Sequence, residues 1–288
     1  MSYVTKENLM QIVLDAVNAD NDRFREIFES LTRHIHAFVD EVNLTQEEWF
    51  FAIDFLTRTG QMCDEDRQEF VLLSDMFGLS ALVDLRNNEG ISSATESAVL
   101  GPFHAKALPM PMGAMIARGD EAKRGDEAFI CGTVLDGDGN PIRGAMLDVW
   151  HADDIGFYDV QDEKQPDHNL RGIFTTGEDG KYWFRTIKPS PYPVPTDGPV
   201  GELLDALGKH AMRPAHLHFK INAPGFEELV TQIYSSDSKY LDTDAVFGVK
   251  ESLIAQYTPN NSAEEAAKHN FRTPFYEVNF DFVMTKGE

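Results

Sequence analysis

The chain has 288 residues, enough for one large or two modest domains with cores of their own. It carries 48 acidic against 25 basic residues, a formal net charge of −23, which repels phosphate backbones and anionic lipid, so neither nucleic acid nor a membrane surface is expected as a partner. No apolar run approaches the roughly 20 residues of a membrane span. The segment Met1–Glu7 has no basic or apolar stretch, so no export signal is read there, and two cysteines without motif spacing, Cys63 and Cys131, fit a reducing cytoplasm.

Residues 5–86 read as helices. Leu9, Ile12, Val13, Ala16 and Val17 recur at helical spacing, and Phe24, Ile27, Phe28, Leu31 and Ile35 repeat the pattern. Thr45 with Glu48 is a capping box ahead of Trp49–Ile53. Asp64 is the expected N-cap of a run through Phe70, Leu73 and Phe77. Core packing explains such stripes, and the first helix also suits a dimer seam. Residues 87–126 form a connector rich in Gly, Ala, Met and Pro.

From Glu127 the period changes to two. Strands are expected at 129–135, 145–150, 173–176, 182–187, 216–221, 229–234 and 275–285, with Gly/Asp turns such as Asp136–Asn140 between them. Pro189–Pro195 contains four prolines, which fix φ and lack donors, so it is expected as a stiff loop and not a strand. The pattern predicts an α+β chain, with a helical region over 1–100 and a β-sandwich over 101–288.

The chemistry concentrates at Arg213-Pro214-Ala215-His216-Leu217-His218. Side chains alternate along a strand, so His216 and His218 share a face and together can hold one metal ion. The other His-x-His, His34-Ile35-His36, lies in a helical stretch, where residues two apart diverge. Two imidazoles need further ligands. Tyr158 follows a strand and Tyr192 sits in the proline loop; each suits a packed aromatic with a bonded hydroxyl. Each also suits a phenolate ligand, a hard anion matched to Fe(III). A zinc hydrolase and a non-enzymatic sandwich module stay open on these residues alone.

Tyr158, Tyr192, the run Arg213–His218, Gln232 and the segment Gly144–Ala152 together resemble the intradiol ring-cleaving dioxygenases, over essentially the whole chain. The resemblance implies one Fe(III) per subunit, held by Tyr158, Tyr192, His216 and His218. It implies catalytic roles for Arg213, Gln232 and Tyr192, the last leaving the metal with a substrate proton. The substrates it implies are O₂ and an aromatic diol or triol. Tyr192–Gly201, Leu100–His104 and Asp242–Val249 are most similar to the hydroxyquinol-cleaving branch, the alternative being catechol or chlorocatechol cleavage. By the same resemblance Asp84, Val99, Gly101, Pro102, Phe103, Val194, Pro195 and Val246 would line the substrate pocket. Asp84 would either meet the third hydroxyl of a triol or cap its helix near Asn87 and Asn88. Family resemblance further implies a homodimer joined through the N-terminal helices, with lipid between them.

Overall fold

A computed structural model describes residues 3–64, 67–88 and 94–287; residues 89–93 of the expected connector lie outside the described residues. The chain divides into two compact units, Met1–Arg58 and Thr59–Glu288. No helix among the described residues is long and apolar enough to cross a membrane.

The first unit holds α1 (Leu9–Asp15), α2 (Asp22–Val42) and most of α3 (Gln46–Gln61). The Asn21 side chain accepts from the Phe24 N–H to start α2, and left-handed Asn43 ends it. The capping box ahead of α3 forms as expected: Thr45 N–H donates to Glu48 Oε2 at 2.8 Å, and Glu48 N–H returns to Thr45 Oγ1 at 3.3 Å. The apolar stripe of α2 does not serve a core within the single chain. Phe24, Ile27, Leu31 and Ile35 are each 50% exposed or more.

The second unit opens with α4 (Glu69–Met76) and α5 (Leu79–Asn87). The run expected from Asp64 through Phe77 starts later, at Glu69, and ends at Met76. Asp64 instead accepts from Arg67 N–H in a turn, and left-handed Gly78 separates α4 from α5. A short α6 (Glu121–Arg124) leads into the sheets. The strands are β1 (Glu127–Asp136), β2 (Met146–Trp150), β3 (Arg171–Thr175), β4 (Lys181–Ile187), β5 (Tyr192–Pro193), β6 (Met212–Arg213), β7 (His216–Asn222), β8 (Leu229–Ser235), β9 (Ile254–Ala255), β10 (Thr258–Asn260), β11 (Phe275–Asn279) and β12 (Phe282–Met284). The expected last strand is therefore two, both pairing parallel with β1. Besides α6, two longer helices lie outside the expected ones: α7 (Pro199–Ala206), with Pro at its start, and α8 (Ala263–His269), capped by Ser262.

Two mixed five-stranded sheets face each other. One runs β10-β11-β1-β12 with β4 also on β1; the other runs β3-β2-β7-β8-β9. Between them lies one apolar core, to which β1 gives Ile130 and Val134, β4 gives Phe184, and β7 gives Leu217, Phe219 and Ile221. Alternation then sends His216, His218 and Gln232 to the outer face of the second sheet. The proline segment is not wholly loop. Tyr192 and Pro193 pair with Arg213 and Met212 in a two-stranded ribbon outside both sheets. Pro tolerates this edge position, where no donor is needed.

Candidate active site

The outer face of the second sheet carries a row of opposed residues. Trp150 on β2 pairs with His218 on β7, which pairs with Gln232 on β8; His216 pairs with Tyr234 one step along. Loops and the ribbon cover this face. The loop after β2 delivers Tyr158. Asp153 Oδ1 accepts the N–H groups of Ile155 and Phe157 at 3.0 and 2.8 Å, and the Tyr158 N–H donates to Gln161 Oε1 at 3.1 Å. A buried ion pair between Arg171 and Asp159 (Nη2 to Oδ1 2.6 Å) anchors the next turn. The ribbon delivers Tyr192. Gly156, at φ +93°, lets the two segments touch, since a Cβ there would lie 2.8 Å from the Tyr192 Cβ.

Four polar atoms converge. Tyr158 Oη donates to Tyr192 Oη at 3.3 Å, and His218 Nε2 lies 3.1 Å from both Tyr158 Oη and His216 Nε2. All four residues are 3% exposed or less. Donors bound at about 2.0–2.1 Å to one ion sit roughly 3 Å from each other, so the four fit a shared cation. The His216 Nδ1–H donates to the Pro214 carbonyl at 2.7 Å, which leaves Nε2 with its lone pair for a metal. Burial, reinforced by the nearby Arg213 charge, pushes His216 down to about 3. His218 is likewise held well below its ordinary value, by burial and by His216. Both imidazoles are thus neutral, as ligands must be. Burial and the neighbouring Tyr192 hold Tyr158 well above the usual phenol range, so an ionised Tyr158 here requires a cation. Among the described residues no three His, Cys, Asp or Glu side chains form a metal group, so a cation held here would need the phenols as donors.

Arg213 lies against this cluster, its Nη1 3.2 Å from His216 Nε2. Burial opposes its charge, but Asp244, with Tyr192 and Tyr234, more than offsets burial and keeps the guanidinium ionised. Its Nη2 donates to Gln232 Oε1 at 2.9 Å, while Gln232 Nε2 donates to the Val99 carbonyl at 2.6 Å. The expected wall residues divide between two places. Gly101, at φ +76°, packs on His218, where a Cβ would lie 3.1 Å from the ring. Val246 is buried beside Asp244, to which its N–H donates. Pro102, Phe103, Val194 and Pro195 line an open cavity of 520 Å³ together with Leu72 of α4.

The Asp84 carboxylate already has protein partners, which favours the helix-end alternative. Its carboxylate accepts from Lys250 Nζ at 2.8 Å, Ser97 Oγ at 2.6 Å and Asn88 Nδ2 at 3.2 Å, and its carbonyl accepts from the Asn88 N–H at 3.1 Å. A carboxylate with three donors braces the end of α5. The acid that sequence reasoning missed is Asp75 on α4. It is 5% exposed, its Oδ1 has no partner among the described residues, and the charges of Arg213 and Asp244 reach it. Burial raises its pKa against the pull of Ser80 and Arg213. The only signal in the sequence was an acid inside an otherwise apolar helical run, Val71-Leu72-Leu73-Ser74-Asp75-Met76.

Two phenols and two imidazoles converge on the outside of a β-sandwich, with a buried guanidinium beside them, an arrangement suited to holding a cation next to an anionic substrate. Residues 21–95 match the family described as catechol dioxygenase N terminus, and residues 99–286 match the dioxygenase family. The chain is 48% identical to a hydroxyquinol 1,2-dioxygenase of Rhizobium sp., over 99% of this chain and 96% of the relative. Among solved structures it superposes on the hydroxyquinol 1,2-dioxygenase of Pseudomonas putida with a TM-score of 0.90 and 46% identity, covering 98% and 99% of the two chains. It also superposes on the catechol 1,2-dioxygenase of Acinetobacter radioresistens, with a TM-score of 0.88 and 30% identity over 99% and 94%. The chain belongs to the intradiol ring-cleavage dioxygenases.

Proposed function

We propose that this dioxygenase opens hydroxyquinol (benzene-1,2,4-triol) between its vicinal hydroxyl-bearing carbons. Both atoms of O₂ enter the product, 3-hydroxy-cis,cis-muconate, the enol of maleylacetate. The observation that carries the reading is the 3.1–3.3 Å convergence of Tyr158, Tyr192, His216 and His218 with Arg213 at its edge. Several relatives that match over nearly full length, at higher identity than the catechol 1,2-dioxygenase structure, are named for hydroxyquinol cleavage, which supports the substrate.

On this reading Tyr158, Tyr192, His216 and His218 hold one Fe(III) per subunit. Bound there, Fe(III) supplies Lewis acidity and a template for two vicinal oxygens. The remaining work falls to the chain. Tyr192, on the two-residue ribbon, accepts one phenolic proton from the substrate. Tyr158, fixed by the Asp153 and Asp159 turns, stays in place. Arg213 Nη1 faces the ring where negative charge collects, and its guanidinium never loses its proton. Gln232 aligns Arg213 and ties it to the wall at Val99. Gly101, Pro102, Phe103, Val194, Pro195 and Val246 exclude water around the ring. The third hydroxyl is assigned to Asp75 and not to Asp84, because Asp75 Oδ1 is buried without a partner among the described residues, as Asp148 Oδ1 also is, and the Arg213 charge reaches Asp75.

Residues 1–100 act on this reading as the dimerisation region and 101–288 as the catalytic domain, with α4 lending Leu72 to the cavity wall. The exposed apolar stripe of α2 supports a homodimer formed through these helices, with lipid covering what the partner does not. Free Cys63 and Cys131 accord with a cytoplasmic setting. The test is direct. Purified enzyme should be red-brown, bleach when iron is chelated, and consume one O₂ per hydroxyquinol with the muconate as sole product. A colourless, fully active enzyme would refute the iron assignment. Faster turnover of catechol than of hydroxyquinol would move the substrate to the diol branch.

A further inference from the structure

We propose that Asp244 is a positioning residue for ring opening: it grips one edge of Arg213 so that Nη1 alone faces the reacting centre. The inference rests on the role given above to Arg213. An arginine presents five N–H donors on a long, flexible stem, and its direction is set by what its other donors meet. Here Nε donates to Asp244 Oδ1 at 3.1 Å and Nη2 to Asp244 Oδ2 at 3.2 Å, a bidentate grip on the side away from the imidazoles. Nη2 also meets Gln232 Oε1 at 2.9 Å and Tyr234 Oη at 3.3 Å. Nη1 is left for His216 Nε2.

The clamp is itself built. Asp244 receives the N–H groups of Val246 (3.3 Å) and Gly248 (3.0 Å), and the Ala245 N–H donates to the Met212 carbonyl next to Arg213. This hydrogen bond ties the loop to the ribbon. Phe247 holds a left-handed φ of 57° between them, a conformation rare for an aromatic and retained only where its surroundings fix it. The pair leaves little room: a Cβ on Gly248 would lie 3.0 Å from Arg213 Nη2 and 3.2 Å from Asp244 Oδ2.

The experiment is a double-mutant cycle on the iron-loaded enzyme, with iron content measured first. Asp244→Asn keeps the shape but turns one acceptor into a donor against Nη2. It should lower kcat by about 10- to 100-fold and leave KM within about threefold, the signature of a contact made in the transition state. In an Arg213→Ala background the same change should cost less than about twofold, because the clamp then has nothing to aim. If Asp244→Asn misfolds, Gly248→Ala replaces it; it keeps both charges and displaces the pair, with the same pattern expected at smaller amplitude. Equal losses in both backgrounds, or a loss confined to KM, would overturn the proposal and leave Arg213 untouched. Normal kcat in Arg213→Ala alone would remove Arg213 from the chemistry, and Asp244 with it, before any clamp variant is read.

Discussion

The indole of Trp150 lies flat on the imidazole of His218, with ring centroids 4.7 Å apart and planes 8° from parallel. The relationship matters because His218 Nδ1 has no hydrogen-bond partner among the described residues, whereas His216 Nδ1 is tied to the Pro214 carbonyl. His216 is oriented by a hydrogen bond; His218 is oriented by stacking, with Gly101 packed against the same ring. Trp150→Leu should therefore weaken iron retention, by an amount comparable to the roughly 10- to 100-fold cost of losing an orienting partner, while Trp150→Phe keeps much of it. Iron remaining after timed dialysis against a chelator gives the comparison. Equal retention in Leu and Phe variants would mean the indole does not orient the ligand.

The two phenols should respond unequally to loss of their hydroxyls. Tyr158→Phe removes the donor that stays, so iron content, the visible band and turnover should all fall. Tyr192→Phe removes the proton acceptor, so turnover should fall further than iron content. Metal analysis and visible spectra of the two variants decide this. A Tyr158→Phe enzyme with full colour and turnover contradicts the assignment.

Asp75 should separate triol from diol. A site that bonds a substrate hydroxyl rejects the analogue lacking it, since its own oxygen is then buried unpaired. Asp75→Asn should cost kcat/KM for hydroxyquinol on the order of 10- to 100-fold more than for catechol. Asp84→Asn, which breaks a brace to Lys250, should lower both alike along with Tm. Parallel losses in Asp75→Asn would reduce it to a structural acid.

His151 should make stability depend on acidity. It is fully buried, with Nδ1 2.7 Å from the Ala152 carbonyl oxygen and Nε2 2.6 Å from Thr186 Oγ1. Burial, opposed by the Ala152 carbonyl, lowers its pKa to about 4, from 6.5 when exposed. Above pH 6.5 neither state holds the proton and its contribution is complete. Between pH 6.5 and 4 the unfolded chain protonates first, and roughly 3 kcal/mol is lost. Urea unfolding at pH 7 and pH 4.5 should show a smaller pH effect in His151→Gln than in the parent. The same slope in both would place the acid sensitivity elsewhere.

The sandwich was legible because strand alternation is a local property: Leu217 and Phe219 declare the core side, and His216 and His218 must then face out. Capping at Thr45 and Glu48 was legible for the same reason. What failed was non-local or hidden by composition. The β5–β6 ribbon pairs residues twenty apart across a helix, and Pro193 argued against any strand. The start of α8 carried a readable signal, Ser262 with Glu265, that was passed over. Asp84 and Asp75 look equivalent in sequence; only the position of Lys250, 166 residues beyond Asp84, shows which carboxylate is already occupied. The proposed metal donors rest on family resemblance, since spacing alone offers the histidines and leaves the tyrosines ambiguous.

The ribbon has a consequence for how such an enzyme can change. It sets Tyr192 directly opposite Arg213 yet belongs to neither sheet, and a lone two-stranded element is marginal by itself. On the proposed reading the acid that meets the third hydroxyl comes from α4, whereas the imidazoles come from the sheet. Substitutions that reshape α4 can redirect which aromatic ring is accepted while the sheet keeps its inherited chemistry. A library confined to Leu72, Asp75 and Val194 is therefore the economical place to evolve new ring preferences in this scaffold.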